Sequence, residues 1–185
     1  MSGLTLWHVP FSRSTRTLWL LEEIGCPYRL ETLSAPNDLD GALHPDRPPA
    51  LRDGVVTMHE TGAMAEWLCE TRARHLWRAP GAAGRIGWLD WLHFAETLVQ
   101  HVARRTETGA ADRLSVSLGL LEEWLDGAEW LLSEFSGADC QIGYSVWAAA
   151  QVMPLNDHPS LTAYFARCVA RPAFRLAFDG HEALG

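Results

Sequence analysis

Residues 4–33, LTLWHVPFSRSTRTLWLLEEIGCPYRLETL, determine the predicted fold class of this chain. Leu4–Val9 is short, apolar and partly alternating, as in a buried strand. Thr17–Ile24 has a strongly helical composition. Tyr28–Leu33 alternates apolar and polar residues, which predicts a second strand. A strand, a helix and a strand within so short a span indicate a parallel βαβ unit.

The residues between these elements favour the same assignment. Pro10 ends the first strand, and either Ser12 or Ser14 can provide the N-cap of the helix. Gly25 closes the helix, because glycine adopts the left-handed conformation that ends many helices.

A second group of signals predicts a hairpin and a helix. Ala50–Arg52 and Val55–Met58 are predicted strands, and Asp53-Gly54 between them is the strongest hairpin signal in the chain. A helix is predicted over residues 60–72. Residues 1–75 therefore have the order βαβ, loop, ββα.

Beyond residue 75 the strong signals are all helical. Residues 76–84, rich in Gly, Ala and Pro, look like a linker. Apolar residues then recur at spacings of three and four, which predicts amphipathic helices. The two clearest sets are Trp88, Trp91, Leu92, Ala95, Leu98, Val99 and Val102, and Leu114, Leu118, Leu121, Leu125, Ala128 and Leu132.

Three further helix starts follow. Ser136–Asp139 resembles a capping box, so Asp139 is interpreted as a folding residue rather than a catalytic acid. Pro159 and Pro172 each stand at the start of a helical stretch.

The composition limits the classes of function. The chain has 185 residues and a net charge of -8, and an acidic surface makes nucleic acid a poor partner. All 15 basic residues are Arg, so the chain has neither a Schiff-base lysine nor a P-loop lysine. No secretory signal and no membrane-spanning stretch are recognisable, so we expect a cytoplasmic protein without a membrane partner.

The cysteines and histidines show no metal-binding or redox pattern. Cys26, Cys69, Cys140 and Cys168 are too far apart in sequence for a CxxC pair. The eight histidines lack paired metal-ligand spacing, so no metal is expected. We interpret the cysteines as reduced, mostly buried thiols.

In their order and spacing, five segments resemble the soluble glutathione S-transferases of the serine type, which join a thioredoxin-like α/β domain to an all-α domain. The segments are Ser12–Gly25, Pro49–Gly54, Glu60–Met64, Ser136–Asp139 and Ala170–Phe174. They look like the family's first helix, its cis-proline segment, its Glu-Ser-x-Ala-Ile motif, its helical-domain capping box and its last helix. The resemblance implies a glutathione-binding domain at 1–75, a linker at 76–84 and an all-helical domain at 85–185.

The resemblance further implies an enzyme that binds glutathione, its co-substrate, as the thiolate and conjugates it to a small electrophile, expected to be apolar. A free thiol has a pKa of about 8.5, and a hydroxyl together with helix N-terminal N–H groups can lower that pKa. Ser12 is the candidate catalytic hydroxyl, although it could instead cap the helix. Ser14 is the better candidate for a plain cap, and Phe11 stands where some branches of the family place their Ser or Tyr.

Three neighbouring residues are implied in glutathione binding. Pro49 matches the cis-proline of the family, and the residue before it normally makes two backbone hydrogen bonds to the cysteinyl part of glutathione. Pro48 stands there and has no N–H, so one of these bonds cannot form. Arg47 is placed to pair with the glycyl carboxylate.

Glu60 and Thr61 are predicted at the N-terminus of a helix. Thr61 could be an ordinary cap. In the functional interpretation, which the resemblance favours, the Thr61 hydroxyl and the helix N–H groups receive the γ-glutamyl carboxylate. Glu60 then pairs with the γ-glutamyl ammonium.

Two alternatives stay open: a glutathione-dependent isomerase, dehalogenase or disulfide reductase on the same scaffold, and a non-catalytic transferase-like binding protein. A homodimer is also predicted, from apolar residues on two helices. These residues are Met64, Trp67, Trp88 and Trp91, of which the last two are also expected to line an apolar pocket.

Overall fold

The computed structural model of the chain describes residues 3–33 and 49–179. The described residues divide into two compact units, the first formed by those up to 74 together with 171–179, the second by residues 75–170. Arg47 and Pro48, two of the predicted binding residues, lie outside the described residues.

The described residues form four strands and seven α-helices. The strands are β1 (Leu4–His8), β2 (Tyr28–Thr32), β3 (Ala50–Asp53) and β4 (Val56–Met58). The helices are α1 (Ser14–Ile24), α2 (Thr61–Arg72), α3 (Arg85–Ala103), α4 (Ala110–Trp124), α5 (Gly137–Ala150), α6 (Pro159–Ala170) and α7 (Pro172–Asp179), with a short 3-10 helix at Arg74–Leu76. The predicted fold class, an α/β thioredoxin-like part followed by helices, is confirmed.

A mixed sheet with the strand order β2-β1-β3-β4 is the centre of the first unit. β1 pairs with β2 in parallel, as the βαβ prediction requires, and β3 pairs antiparallel with both β1 and β4. The predicted hairpin is confirmed, and Gly54 in its turn has a φ of 62°. Gly25 ends α1 with a φ of 68°, as predicted.

Helix α7 packs in the first unit, against α1. The rings of Trp19 and Phe174 meet edge to face with their centroids 4.9 Å apart. Arg171 donates two hydrogen bonds, of 2.6 and 2.7 Å, to the carboxylate of Glu23. The sequence predicts this helix within the domain 85–185, and the bounds of that domain and of the linker stay predictions.

The second unit is organised around α5, which is buried along nearly its whole length beside α3. The Ser145 hydroxyl donates a 2.8 Å hydrogen bond to the carbonyl of Ala95 and so ties α5 to α3. The capping box at Ser136 and Asp139 is confirmed. The prediction that the α4 pattern continues to Leu132 is wrong, because the helix ends at Trp124 and Gly127 turns the chain with a φ of 71°.

None of the helices in the described part of the chain combines the length and apolarity that a membrane crossing requires. None of the four cysteines, all within the described residues, forms a disulfide; Cys26 is half-buried and the other three are buried.

Candidate active site

The carboxyl end of β1 is the edge of the sheet where the described candidate residues converge. Helix α1 starts from this end, just after Ser12. The β1–β3 register pairs Trp7 with Ala50, so Pro49 lies beside the end of β1 and is buried there. The β3–β4 register brings the end of β4 to the same edge, and α2 starts from it at Thr61.

Helices α1 and α2 touch one turn beyond their starts. The Thr17 hydroxyl donates to the sulfur of Met64 over 3.6 Å, and both groups are buried. Thr17 lies one turn after Ser14, and Met64 lies one turn after Thr61. The two helix N-termini therefore lie close together, as a ligand that contacts both requires.

The N-terminus of α2 has no capping hydrogen bond from a side chain. Glu60 is the N-cap residue, with an extended backbone and no capping hydrogen bond from its side chain. Thr61 is the first helical residue, so the interpretation of Thr61 as an ordinary cap is wrong. Its side chain is buried, and within the described residues its hydroxyl has no hydrogen-bond partner. The first-turn N–H groups have no intrahelical acceptor, so hydroxyl and N–H groups together can hold a carboxylate.

Ser12 lies in the turn between β1 and α1, and its side chain is half-buried. Its hydroxyl oxygen accepts a 3.2 Å hydrogen bond from the N–H of Ser14 and lies 2.8 Å from the Ser14 hydroxyl. Its backbone N–H donates to the carbonyl of Val9 over 3.2 Å. Ser12 thus accepts from the first N–H of α1 without occupying the N-cap position, which is Arg13, and its catalytic role stays a prediction.

Ser14 is not the plain cap that the sequence predicts. The N-cap position of α1 is Arg13, which makes no capping hydrogen bond, and Ser14 is completely buried. The Ser14 hydroxyl lies 2.7 Å from Nδ1 of His8 and 3.0 Å from both the N–H and the carbonyl of Val9. Ser14 therefore joins the end of β1 to Ser12 through side-chain hydrogen bonds.

His8 is the one residue of this cluster that the sequence reasoning did not select. It ends β1 and its side chain is completely buried. Two features of the sequence could have identified His8: it is a histidine at the C-terminal end of a predicted buried strand, and it precedes Ser14 by six residues. Phe11, in the same turn, is exposed and has a φ of 57°, an uncommon backbone conformation for a residue with a large side chain.

The cysteines of the first unit are poorly suited to thiolate chemistry. Burial raises the pKa of the Cys69 thiol to about 12. Burial also raises the pKa of Cys26, against the opposing effect of the Arg72 guanidinium. Both thiols are therefore less acidic than a free cysteine.

The second unit holds an apolar cavity of about 500 Å³ between α3 and α4. It is lined by Trp91, Phe94, Leu120 and Trp124, with Asp90, His93 and Thr97 beside them. The rings of Trp91 and Trp124 meet edge to face at 5.2 Å. The prediction for Trp88 is wrong, because that side chain is fully buried and donates to the carbonyl of Leu76 over 3.1 Å.

The apolar surface that motivates the dimer prediction is only partly present. Met64 and Trp88 are core residues with no exposed area. Trp67 is half-buried and donates a 2.8 Å hydrogen bond to Asp53. The exposed apolar side chains of the second unit include Ile86 on α3 and, on α4, Val116, Leu120 and Trp124, each at least half exposed.

A second cavity, of about 510 Å³, lies at the opposite edge of the sheet, near Gly3, Pro27 and Gly54. It is remote from Ser12, because it adjoins the start of β1 rather than its end.

Comparison with known proteins finds a relative and solved structures that resemble this chain. No family model matches the chain. Glutathione S-transferase 3 of Schizosaccharomyces pombe is 22% identical over 216 aligned positions, which cover 97% of this chain and 88% of that protein. The unclassified glutathione S-transferase 2 of Bombyx mori has a TM-score of 0.86 at 21% identity and covers 100% of this chain and 96% of its own. A sphingomonad glutathione S-transferase solved with glutathione has a TM-score of 0.83 at 22% identity, over 98% of this chain and 100% of that one. The resemblance to glutathione S-transferases is confirmed, and the fold is the one these proteins share. That the chain is of the serine type stays a prediction.

Proposed function

We propose that this chain is a glutathione transferase, which binds glutathione as the thiolate and conjugates it to a small apolar electrophile in the cytoplasm. The observation that carries the proposal is the convergence of Ser12, Pro49 and Thr61 at one edge of the sheet. A hydroxyl donor, a buried proline and an open helix N-terminus are what a thiol peptide with a free carboxylate needs.

In this mechanism each group has one task. The Thr61 hydroxyl and the first N–H groups of α2 hold the γ-glutamyl carboxylate, and Glu60 pairs with the γ-glutamyl ammonium. Arg47, Pro48 and Pro49 bind the rest of the peptide, with Arg47 on the glycyl carboxylate. The thiol of glutathione releases its proton to solvent, and the Ser12 hydroxyl donates a hydrogen bond to the sulfur and stabilises the thiolate, which attacks the electrophile.

Calorimetric titration with glutathione tests the binding part. Thr61→Val keeps the side-chain shape and removes one hydroxyl, and the loss of a hydrogen bond to a carboxylate should cost about 1.5–3 kcal/mol of affinity. The stability of the protein should hardly change, since the hydroxyl makes no hydrogen bond within the described residues. Thr57→Val, on exposed strand β4, is the matched control. An affinity unchanged within about twofold (about 0.4 kcal/mol) would exclude Thr61 from the site.

A turnover panel tests the catalytic part. Conjugation of aryl halides or activated alkenes supports a transferase. Turnover confined to isomerisation, dehalogenation or disulfide reduction would point to the related activities instead. Tight glutathione binding without turnover of any class would indicate a binding protein.

We also propose that the chain forms a homodimer through the exposed apolar surface of α4. Leu120 is 50% exposed beside the apolar cavity, and a second copy that covers this surface would remove it from water. Leu120→Glu should shift the mass measured by light scattering from dimer to monomer. Leu176→Glu, at a similarly exposed leucine of α7, should leave the dimer intact. A monomeric wild-type protein at micromolar concentration would refute the proposal.

A further inference from the structure

We propose that His8 is a positioning residue for the reaction, and that it acts through Ser14 to keep the Ser12 hydroxyl proton directed at the ligand. This inference rests on the proposed function and adds a residue to it. The structural basis is a continuous hydrogen-bond chain, with 2.7 Å between His8 Nδ1 and Ser14 Oγ and 2.8 Å between the two serine hydroxyls. His8 and Ser14 are completely buried, whereas Ser12 is half-buried at the end of the chain.

The capacity of the Ser14 hydroxyl decides how the chain is arranged. A hydroxyl has one proton to donate and two lone pairs that accept. The N–H of Val9 donates to Ser14 over 3.0 Å and occupies one lone pair. One lone pair and one proton remain for three neighbours, which are His8 Nδ1, the Ser12 hydroxyl and the carbonyl of Val9.

If Nδ1 of His8 carries no proton, it can only accept, and the Ser14 proton points to Nδ1 or to the carbonyl of Val9. The free lone pair of Ser14 then accepts from Ser12, so the only proton of Ser12 is directed inward. In this arrangement Ser12 cannot donate to a sulfur.

If Nδ1 of His8 carries a proton, the arrangement reverses. His8 donates to Ser14 and fills its second lone pair, so Ser12 can no longer donate to Ser14. Ser14 donates to Ser12 or to the carbonyl of Val9. Ser12, which also accepts from the N–H of Ser14 over 3.2 Å, keeps its own proton for the ligand. The protonated Nδ1 is therefore the form that the proposed catalysis requires.

The first test measures this proton directly in the full chain. Nitrogen-15 NMR of the His8 ring distinguishes a protonated from an unprotonated Nδ1, and His8→Asn identifies the His8 signals. A protonated Nδ1 is expected, and an unprotonated Nδ1 in the free and the glutathione-bound protein would overturn the proposal. This readout does not depend on turnover.

The second test measures coupling between His8 and Ser14. His8→Leu should lower kcat by roughly threefold to tenfold, the contribution of one hydrogen bond, with KM for glutathione nearly unchanged. His8→Asn places an amide donor where Nδ1 lies and should recover most of the rate. In the Ser14→Ala background, where the chain is interrupted, His8→Leu should have no further effect on kcat.

The outcomes separate the two proposals. If His8→Leu lowers kcat equally in both backgrounds, or if His8→Asn is as slow as His8→Leu, His8 acts only on folding and the inference is wrong. Thermal melting of each variant monitors that folding. If the folded wild-type protein neither binds nor turns over glutathione, the proposed function itself fails. If the wild-type protein binds and turns over glutathione, but the His8 and Ser14 substitutions lower kcat additively, only the inference about His8 fails.

Discussion

Two carboxylates cap helices in the second unit. We predict that their contributions to the free energy of unfolding change in opposite directions as the pH rises. Asp139 is completely buried in the capping box of α5. Glu122, on α4, accepts hydrogen bonds of 3.0 and 2.8 Å from the N–H groups of Ser160 and Leu161 at the start of α6. The substitutions are Asp139→Asn and Asp139→Ala, compared with Glu122→Gln.

The size of the Asp139 effect follows from its donors. Its carboxylate accepts from the N–H of Ser136 at 2.8 Å and from the N–H of Leu131 at 3.2 Å. The hydroxyls of Ser136 and Tyr164 donate to it at 3.1 and 3.3 Å. Asp139→Ala leaves the two buried N–H groups without an acceptor, at about 1–3 kcal/mol each, so the expected loss of unfolding free energy is about 2–6 kcal/mol at pH 7.

The pH dependence follows from the direction of each pKa shift. Burial raises the pKa of Asp139 from 3.8 to about 6, against the hydrogen bonds that it accepts. The folded state therefore binds this proton more tightly than the unfolded state. The resulting stabilisation is complete below the unfolded pKa and is lost as the pH rises through about 6. Between pH 5 and pH 7 the wild type should lose roughly 1 kcal/mol that Asp139→Asn does not lose.

Glu122 should behave in the opposite way. Burial acts to raise its pKa, but the N–H groups of Leu161 and Ser160 outweigh that effect and lower it below 4.5. Its stabilisation is present above pH 4.5 and is lost as the pH falls. Glu122→Gln should therefore flatten the acid side of the stability curve, whereas Asp139→Asn flattens the range between pH 5 and 7.

Urea unfolding, followed by tryptophan fluorescence at half-unit steps from pH 4 to pH 8, measures both effects. The control is Glu123→Gln, the exposed neighbour of Glu122. A loss below about 1 kcal/mol for Asp139→Ala, less than one unpaired buried N–H costs, would refute the hydrogen-bond reasoning. If the unfolding free energies of the wild type and Asp139→Asn change equally with pH, the predicted direction of the Asp139 effect is wrong.

Three further predictions concern the thiolate, the backbone and a buried amide. Ser12→Ala should raise the pKa of the thiol of bound glutathione toward its solution value, and a rise of one pKa unit lowers the thiolate fraction about tenfold. The thiolate is titrated by its ultraviolet absorbance, with Ser115→Ala as the control. The same titration curve for both variants would contradict this prediction. Gly25→Ala should destabilise the protein by about 1 kcal/mol, because the backbone there has a φ of 68°. Gly119→Ala, inside α4 with open space around it, should stabilise the protein by about 0.5–1 kcal/mol. Equal melting temperatures for the two variants would contradict both predictions. Gln141→Met should raise the unfolding free energy by about 1 kcal/mol, because both amide atoms are buried without a partner among the described residues; a lower melting temperature would show that the amide is satisfied.

The fold was predictable from local signals that agree with one another. The alternation in Tyr28–Thr32, the Asp53-Gly54 turn, Gly25 after α1 and Pro159 and Pro172 at helix starts each restrict the backbone directly. Where such a signal was overlooked, the prediction failed. The apolar spacing predicts that α4 extends to Leu132, but the left-handed backbone at Gly127 falls inside that span.

The sequence by itself determined the candidate residues and the order of the elements, because capping, turn and propensity preferences act over a few neighbouring residues. Only the tertiary structure decided what those residues contact. Whether Trp88 and Met64 face solvent or the core depends on which helices pack against them, and both are buried. Ser14 looked like a helix cap, yet β1 places His8 within 2.7 Å of its hydroxyl. Thr61 also looked like a helix cap, yet its hydroxyl has no hydrogen-bond partner within the described residues. A hydrogen bond depends on the positions of two groups in space, and the chain fixes those positions only when the sheet and helices have packed.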